Sequence, residues 1–177
     1  MLMALETKDY RPGVVVAEGT VVSGYASVFG LRDQGGDIVM PGAYTAALER
    51  LRLSGGRVRM LWQHDPAQPI GLWEEVREDG RGLYVKGRLL TEVARGREAA
   101  ALMAAGAVDG LSIGYRTLRA EKLAGGGRRL LELELWEISL VTFPMLPAAR
   151  IAAKGATPGL MAELAKGLEA ARAALRA

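Results

Sequence analysis

Hydrophobic and polar positions alternate with a period of two through most of this chain, and only short stretches switch to helical spacing. Gly19 to Phe29 is rich in β-formers and is followed by turn chemistry at Asp33-Gln34-Gly35-Gly36-Asp37. Pro41 stands where a first-turn proline would open a helix from Gly42 to Leu51, closed by Gly55-Gly56. Val58, Met60 and Trp62 alternate with Arg59, Leu61 and Gln63, a strand leading into His64. Pro69 to Arg77, a turn at Glu78-Asp79-Gly80-Arg81 and Leu83 to Leu90 read as a hairpin. Thr91 is a candidate cap for an Ala-rich helix from Glu92 to about Ala105. Leu111 to Leu118 is again β-like, and Ala124 to Gly127 turns it back into a long strand from Arg128 to Phe143. Leu160, Leu164, Leu168 and Leu175 then fall near helical spacing.

Many short strands with few helices predict a mainly β, α+β domain: a closed antiparallel β-barrel surrounded by two or three helices. The organisation expected is a barrel domain over 1–151, a linker over 152–159 and a C-terminal amphipathic helix over 160–177.

Composition narrows the chemistry. The 177 residues carry no Cys and one His, with 50% hydrophobic and 24% charged positions. Absence of Cys excludes a thiol nucleophile, a disulfide framework and a zinc–cysteine site. Metal and cofactor sites are not expected, since no carboxylate cluster of recognisable spacing takes the place of the missing ligands. No apolar run is long enough to span a bilayer, and residues 1–10 show no signal-peptide pattern. The net charge of +3 comes from scattered arginines, without the basic cluster interleaved with aromatics that nucleic-acid binding calls for.

Any histidine-dependent hydrolysis must run through His64, and the serine choice is limited to Ser23, Ser27, Ser54, Ser112 and Ser139. Gly110-Leu111-Ser112-Ile113-Gly114 matches the G-x-S-x-G nucleophile elbow, but that motif needs a strand before the serine, a helix after it and a later histidine. Here the order of elements is reversed and His64 comes first. Ser112 instead shares a strand face with Gly114. Either that glycine leaves room for a substrate backbone, or it marks a bulge beside an ordinary strand serine.

In Leu131 to Leu140, straight counting puts Leu131, Leu133 and Leu135 on one face, Glu132 and Glu134 on the solvated face, and Glu137 on the leucine face. A carboxylate there needs a cationic or hydrogen-bonding partner, and an imidazolium would serve. The competing expectation is that a bulge or the strand end near Trp136 returns Glu137 to solvent. Asp65 is a weaker third member, since it is adjacent to His64 in an extended stretch.

Gly24-Tyr25-Ala26-Ser27-Val28-Phe29, Gly36 to Tyr44, Trp62-Gln63-His64-Asp65, Gly71, Gly110 to Tyr115 and Glu137 to Pro144 appear in an order that resembles the prohead proteases of tailed bacteriophages, serine peptidases related in fold to herpesvirus assemblins. One departure is Met145-Leu146, where such chains often carry Ala-Asn. The resemblance covers about Gly19 to Ile151. It implies a catalytic set of His64, Ser112 and Glu137, with the acid matched least firmly, and an endopeptidase acting through a Ser112 acyl-enzyme. The implied partners are the major capsid protein and its scaffolding segment, inside the immature capsid in the host cytoplasm. Self-processing and a homo-oligomer stay open, and the glycine turn at 125–129 is one candidate for the oxyanion hole. The alternatives are a non-catalytic capsid-assembly protein on the same barrel and a serine esterase.

Overall fold

The alternating first segment folds as β1 (Val21–Val28), with Val22, Ala26 and Val28 turned into the core. A computed structural model describes residues 20–151; the expected linker and C-terminal helix lie outside the described residues. A two-residue strand β2 (Ile38–Val39) leads to helix α1 (Thr45–Ser54). The helix begins later than expected because Gly42 is left-handed, with φ 88°, and residues 41–44 form turns. Its open N-terminal end is capped from a distance. The Glu78 carboxylate accepts from the backbone N–H of Gly42, from that of Tyr44 at 3.2 Å and from the Thr45 hydroxyl at 3.1 Å.

Strands β3 (Arg59–Trp62), β4 (Asp65–Glu78) and β5 (Gly82–Leu89) follow, then helix α2 (Ala94–Ala104). Thr91 does not cap α2. A turn closed by Val93 N–H on Leu90 O at 3.1 Å comes first, so Val93 takes the cap position without a side-chain hydrogen bond. The longest hairpin, β6 (Gly110–Lys122) and β7 (Arg128–Val141), completes the fold.

The strands form one mixed sheet in the order β1-β5-β4-β3-β7-β2, with β6 on the other side of β7. Two features depart from the closed antiparallel barrel. β7 runs parallel to both β3 and β2, so the sheet is not purely antiparallel. The sheet also curls into a half-barrel without closing: β1 and β6 share no ladder, and only single bridges, Gly24 to Ile151 and Gly110 to Arg150, cross the gap. The physical reason is that residues 149–151 occupy the start of the β6 edge, where Leu111 N–H donates to Ala149 O at 2.8 Å. The core fills the concave side with Val22, Met60, Ile70, Val85, Leu133 and Ile138, while α1 packs on β7 and β4 and α2 on β4 and β5.

Candidate active site

β3 and β4 are joined by only two residues, Gln63 and His64, with Trp62 paired to Asp65. Both have positive φ, 52° and 63°, which a tight mirror-image hairpin turn requires and which glycine or asparagine usually supplies. A left-handed histidine costs about 1–2 kcal/mol, so the turn needs outside support. β7 and its C-terminal extension provide it. Gln63 N–H donates to Leu140 O at 3.0 Å, the Gln63 amide donates to the Thr142 hydroxyl at 2.9 Å, and His64 N–H donates to Ser139 Oγ at 3.0 Å.

This clamp lays the imidazole over β7. His64 Nδ1 stands 2.6 Å from Glu137 Oε1. A carboxylate only accepts, so Nδ1 carries a proton, and in the neutral ring Nε2 then keeps its lone pair. The other carboxylate oxygen, Oε2, accepts from the Ser139 hydroxyl at 2.6 Å. Ser139 thus takes a hydrogen bond from the His64 backbone and passes its own to Glu137, and the residue is fully buried. The His64 side chain is 41% exposed and that of Glu137 12%, so the acid is largely removed from solvent while the ring remains accessible.

Glu137 reaches this position through a bulge. Gly114 pairs with Glu137 and Tyr115 with Leu135, leaving Trp136 as the extra residue, 55% exposed. The bulge reverses parity: Leu133 and Leu135 face the core before it, Ile138 and Leu140 after it. Glu137 is therefore not on the leucine face, as straight counting had it, but on the opposite one. The expected bulge is present, yet it delivers Glu137 to His64 and not to water. Glu132 and Glu134 are surface ion-pair partners, of Arg50 at 3.8 Å and Arg116 at 2.8 Å. Asp65 turns away, accepting from Ala67 N–H and the Gln68 amide.

Ser112 pairs directly with Ser139 across the β6–β7 ladder. Opposed residues project to the same side of a sheet with Cβ atoms about 5 Å apart, so Ser112 shares the Glu137–Ser139 face. It is 5% exposed, and no hydrogen bond joins its hydroxyl to His64 or another described side chain. Gly114 has a different use from either expectation alone. A bulge does follow it, but a methyl group on its Cα would overlap the Glu137 carboxylate, so the missing side chain makes room for the acid and not for a substrate backbone. The glycine turn near 125 is an ordinary hairpin turn, with Gly126 N–H donating to Leu123 O, at the far end of β6–β7 from Ser112. Ser139 was among the candidate serines but had no assigned role. Its spacing of two from Glu137 is the signal that could have found it.

An alcohol, an imidazole and a carboxylate therefore lie on one face of the curled sheet, the last two in contact. The chain belongs to the caudovirus prohead serine protease family, which it matches over residues 6–161. The prohead protease of Enterobacteria phage HK97 is 35% identical over 143 residues, 79% of this chain and 62% of that protein. The chain thus spans less than two thirds of the length of that curated relative. The capsid assembly protease of bacteriophage T4 shares the fold with a TM-score of 0.58 at 18% identity, over 75% of this chain and 89% of that one. The KSHV protease, solved with a hexapeptide phosphonate inhibitor, does so at 0.52 and 14%, over 76% of this chain and 64% of that one.

Proposed function

We propose that this chain is a serine endopeptidase that cleaves capsid proteins, their scaffolding segments foremost, within the prohead in the host cell. The observation that carries the mechanism is the 2.6 Å contact of His64 Nδ1 with Glu137 on the sheet face that Ser112 shares. Ser112 Oγ attacks the peptide carbonyl, and its proton passes to His64 Nε2. Collapse of the tetrahedral intermediate breaks the C–N bond, with that proton going to the leaving amine. Water, deprotonated by the same nitrogen, then hydrolyses the acyl-enzyme. Glu137 holds the imidazole in the Nδ1–H tautomer and steadies the imidazolium. The absence of a Ser112–His64 hydrogen bond is compatible with this, since such bonds often tighten only when substrate is bound. The family and the capsid-related names of its relatives support the substrate class.

Treatment of the full chain with a fluorophosphonate, followed by peptide mapping, is expected to modify Ser112. Modification that persists in Ser112→Ala would overturn the assignment. Gly114→Ala is expected to lower kcat by about a hundredfold, because the new methyl displaces the carboxylate by roughly 1 Å. The shorter acid in Gly114→Ala/Glu137→Asp should recover part of that loss in a peptide-cleavage assay.

A further inference from the structure

A recess of about 80 Å³ lies between the start of β3 and β4, away from the Ser112 strand. Arg57 and Arg59 line it together with Pro69 and the exposed Leu72, and none of its lining residues is acidic. Both arginines are exposed, and neither guanidinium makes a hydrogen bond or ion pair with another described residue. Other arginines nearby are matched: Arg52 pairs with Glu49, Arg77 with Asp79 and Arg88 with Glu74. The recess therefore carries two uncompensated positive charges beside apolar surface.

Register puts these charges on the face that holds the candidate catalytic groups. Arg59 stands opposite Glu137 across the parallel β3–β7 ladder, and Leu61 opposite Ser139. Residues in register project to the same side of a sheet, so Arg59 shares the face of Glu137, Ser139 and Ser112. Glu137 does not take up the Arg59 charge, since its two oxygens serve His64 Nδ1 and the Ser139 hydroxyl. Arg57, two residues earlier, borders the same recess.

The strand order β6-β7-β3-β4 sets where a substrate meets this pair. In the proposed mechanism His64, above β7, hands its proton to the leaving amine, so the leaving segment starts on the His64 side of Ser112, toward β3. Ser112, Ser139 and Leu61 form one row across the sheet, and Arg59 is two residues from Leu61. Strand spacing and rise per residue put the Arg59 backbone about 12 Å from that of Ser112, a span of roughly three to four residues of extended peptide. A guanidinium matches a carboxylate with paired hydrogen bonds, and clusters of arginine read acidic motifs. The recess volume is between two and three times the ~30 Å³ share of one liquid water, room for a short side chain ending in a carboxylate.

We propose that Arg57 and Arg59 bind an acidic side chain of the substrate two to four residues after the scissile bond. This rests on the peptidase reading above.

The test begins with the sites at which the full chain cuts capsid protein, mapped by mass spectrometry. Quenched peptides built on one such site carry Glu, Gln or Lys, one substitution at a time, at each of the first five positions after the cut. Wild type is expected to favour Glu over Lys by about tenfold in kcat/KM at one of positions two to four. The preference should lie chiefly in KM and shrink as salt is raised. Arg57→Gln/Arg59→Gln should bring the Glu-to-Lys ratio close to one, and Arg57→Glu/Arg59→Gln should turn it below one. Each ratio compares peptides on the same enzyme, so a general loss of stability or activity cancels. A wild-type ratio near one at all three positions, or a ratio that both variants leave unchanged, overturns the assignment of this recess. A wild type that neither cleaves nor is modified by fluorophosphonate at Ser112 overturns the peptidase reading, and the recess assignment falls with it.

Discussion

Ser112→Ala, His64→Ala and the double variant are expected to fall to nearly the same residual activity, each losing about 10⁶-fold in kcat. The reason is that the two side chains perform one act. His64 Nε2 has no role without a hydroxyl to deprotonate, and the hydroxyl is a poor nucleophile without that base. Single-turnover cleavage of capsid protein measures the losses, and thermal unfolding shows that each variant folds. His64→Ala leaves a left-handed alanine in the turn, still clamped by Gln63 to Leu140 and Thr142, so the hairpin should persist. A double variant poorer than either single by the product of their losses would mean that the two residues act separately, and the acyl-enzyme mechanism would fail.

Glu137→Gln is expected to lower kcat by about 10⁴-fold with little change in KM, because an amide can hold the imidazole in the wrong tautomer. The effect separates orientation from shape, since the two side chains are nearly isosteric. Ser139→Ala should act in the same direction but less, by roughly 10- to 100-fold. It strips the carboxylate of its 2.6 Å donor and leaves the His64 N–H without its acceptor. Those two orphaned groups should also cost about 1–3 kcal/mol each in stability. Ser139→Thr, which keeps the hydroxyl, should restore much of kcat. Full activity in both Glu137→Gln and Ser139→Ala would remove the acid from the mechanism.

Much of the fold was legible because strand and turn signals are local. The alternation in Val21–Val28, the hairpin around Asp79-Gly80 and the long β6–β7 pair follow from the period of side chains and from turn residues. The β3–β4 hairpin was not legible as such. Its turn residues, Gln63 and His64, are not those that favour positive φ, and the hydrogen bonds that hold them there come from residues 75 to 79 positions later. Helix α1 begins later than its sequence pattern suggests, because Gly42 is left-handed and the free N–H groups ahead of the helix are met by Glu78 at the end of β4.

What residue types alone determine about this protein is the list of chemical actors: one imidazole, five serine hydroxyls, no thiol and a carboxylate at 137. Their arrangement is a tertiary matter. The Trp136 bulge sets which way Glu137 points, a contact between distant strands sets the histidine turn, and pairing with β7 sets the face that Ser112 presents. Period-two counting cannot supply this, since one inserted residue exchanges the faces of a sheet and only the neighbouring strand's register shows where the insertion falls.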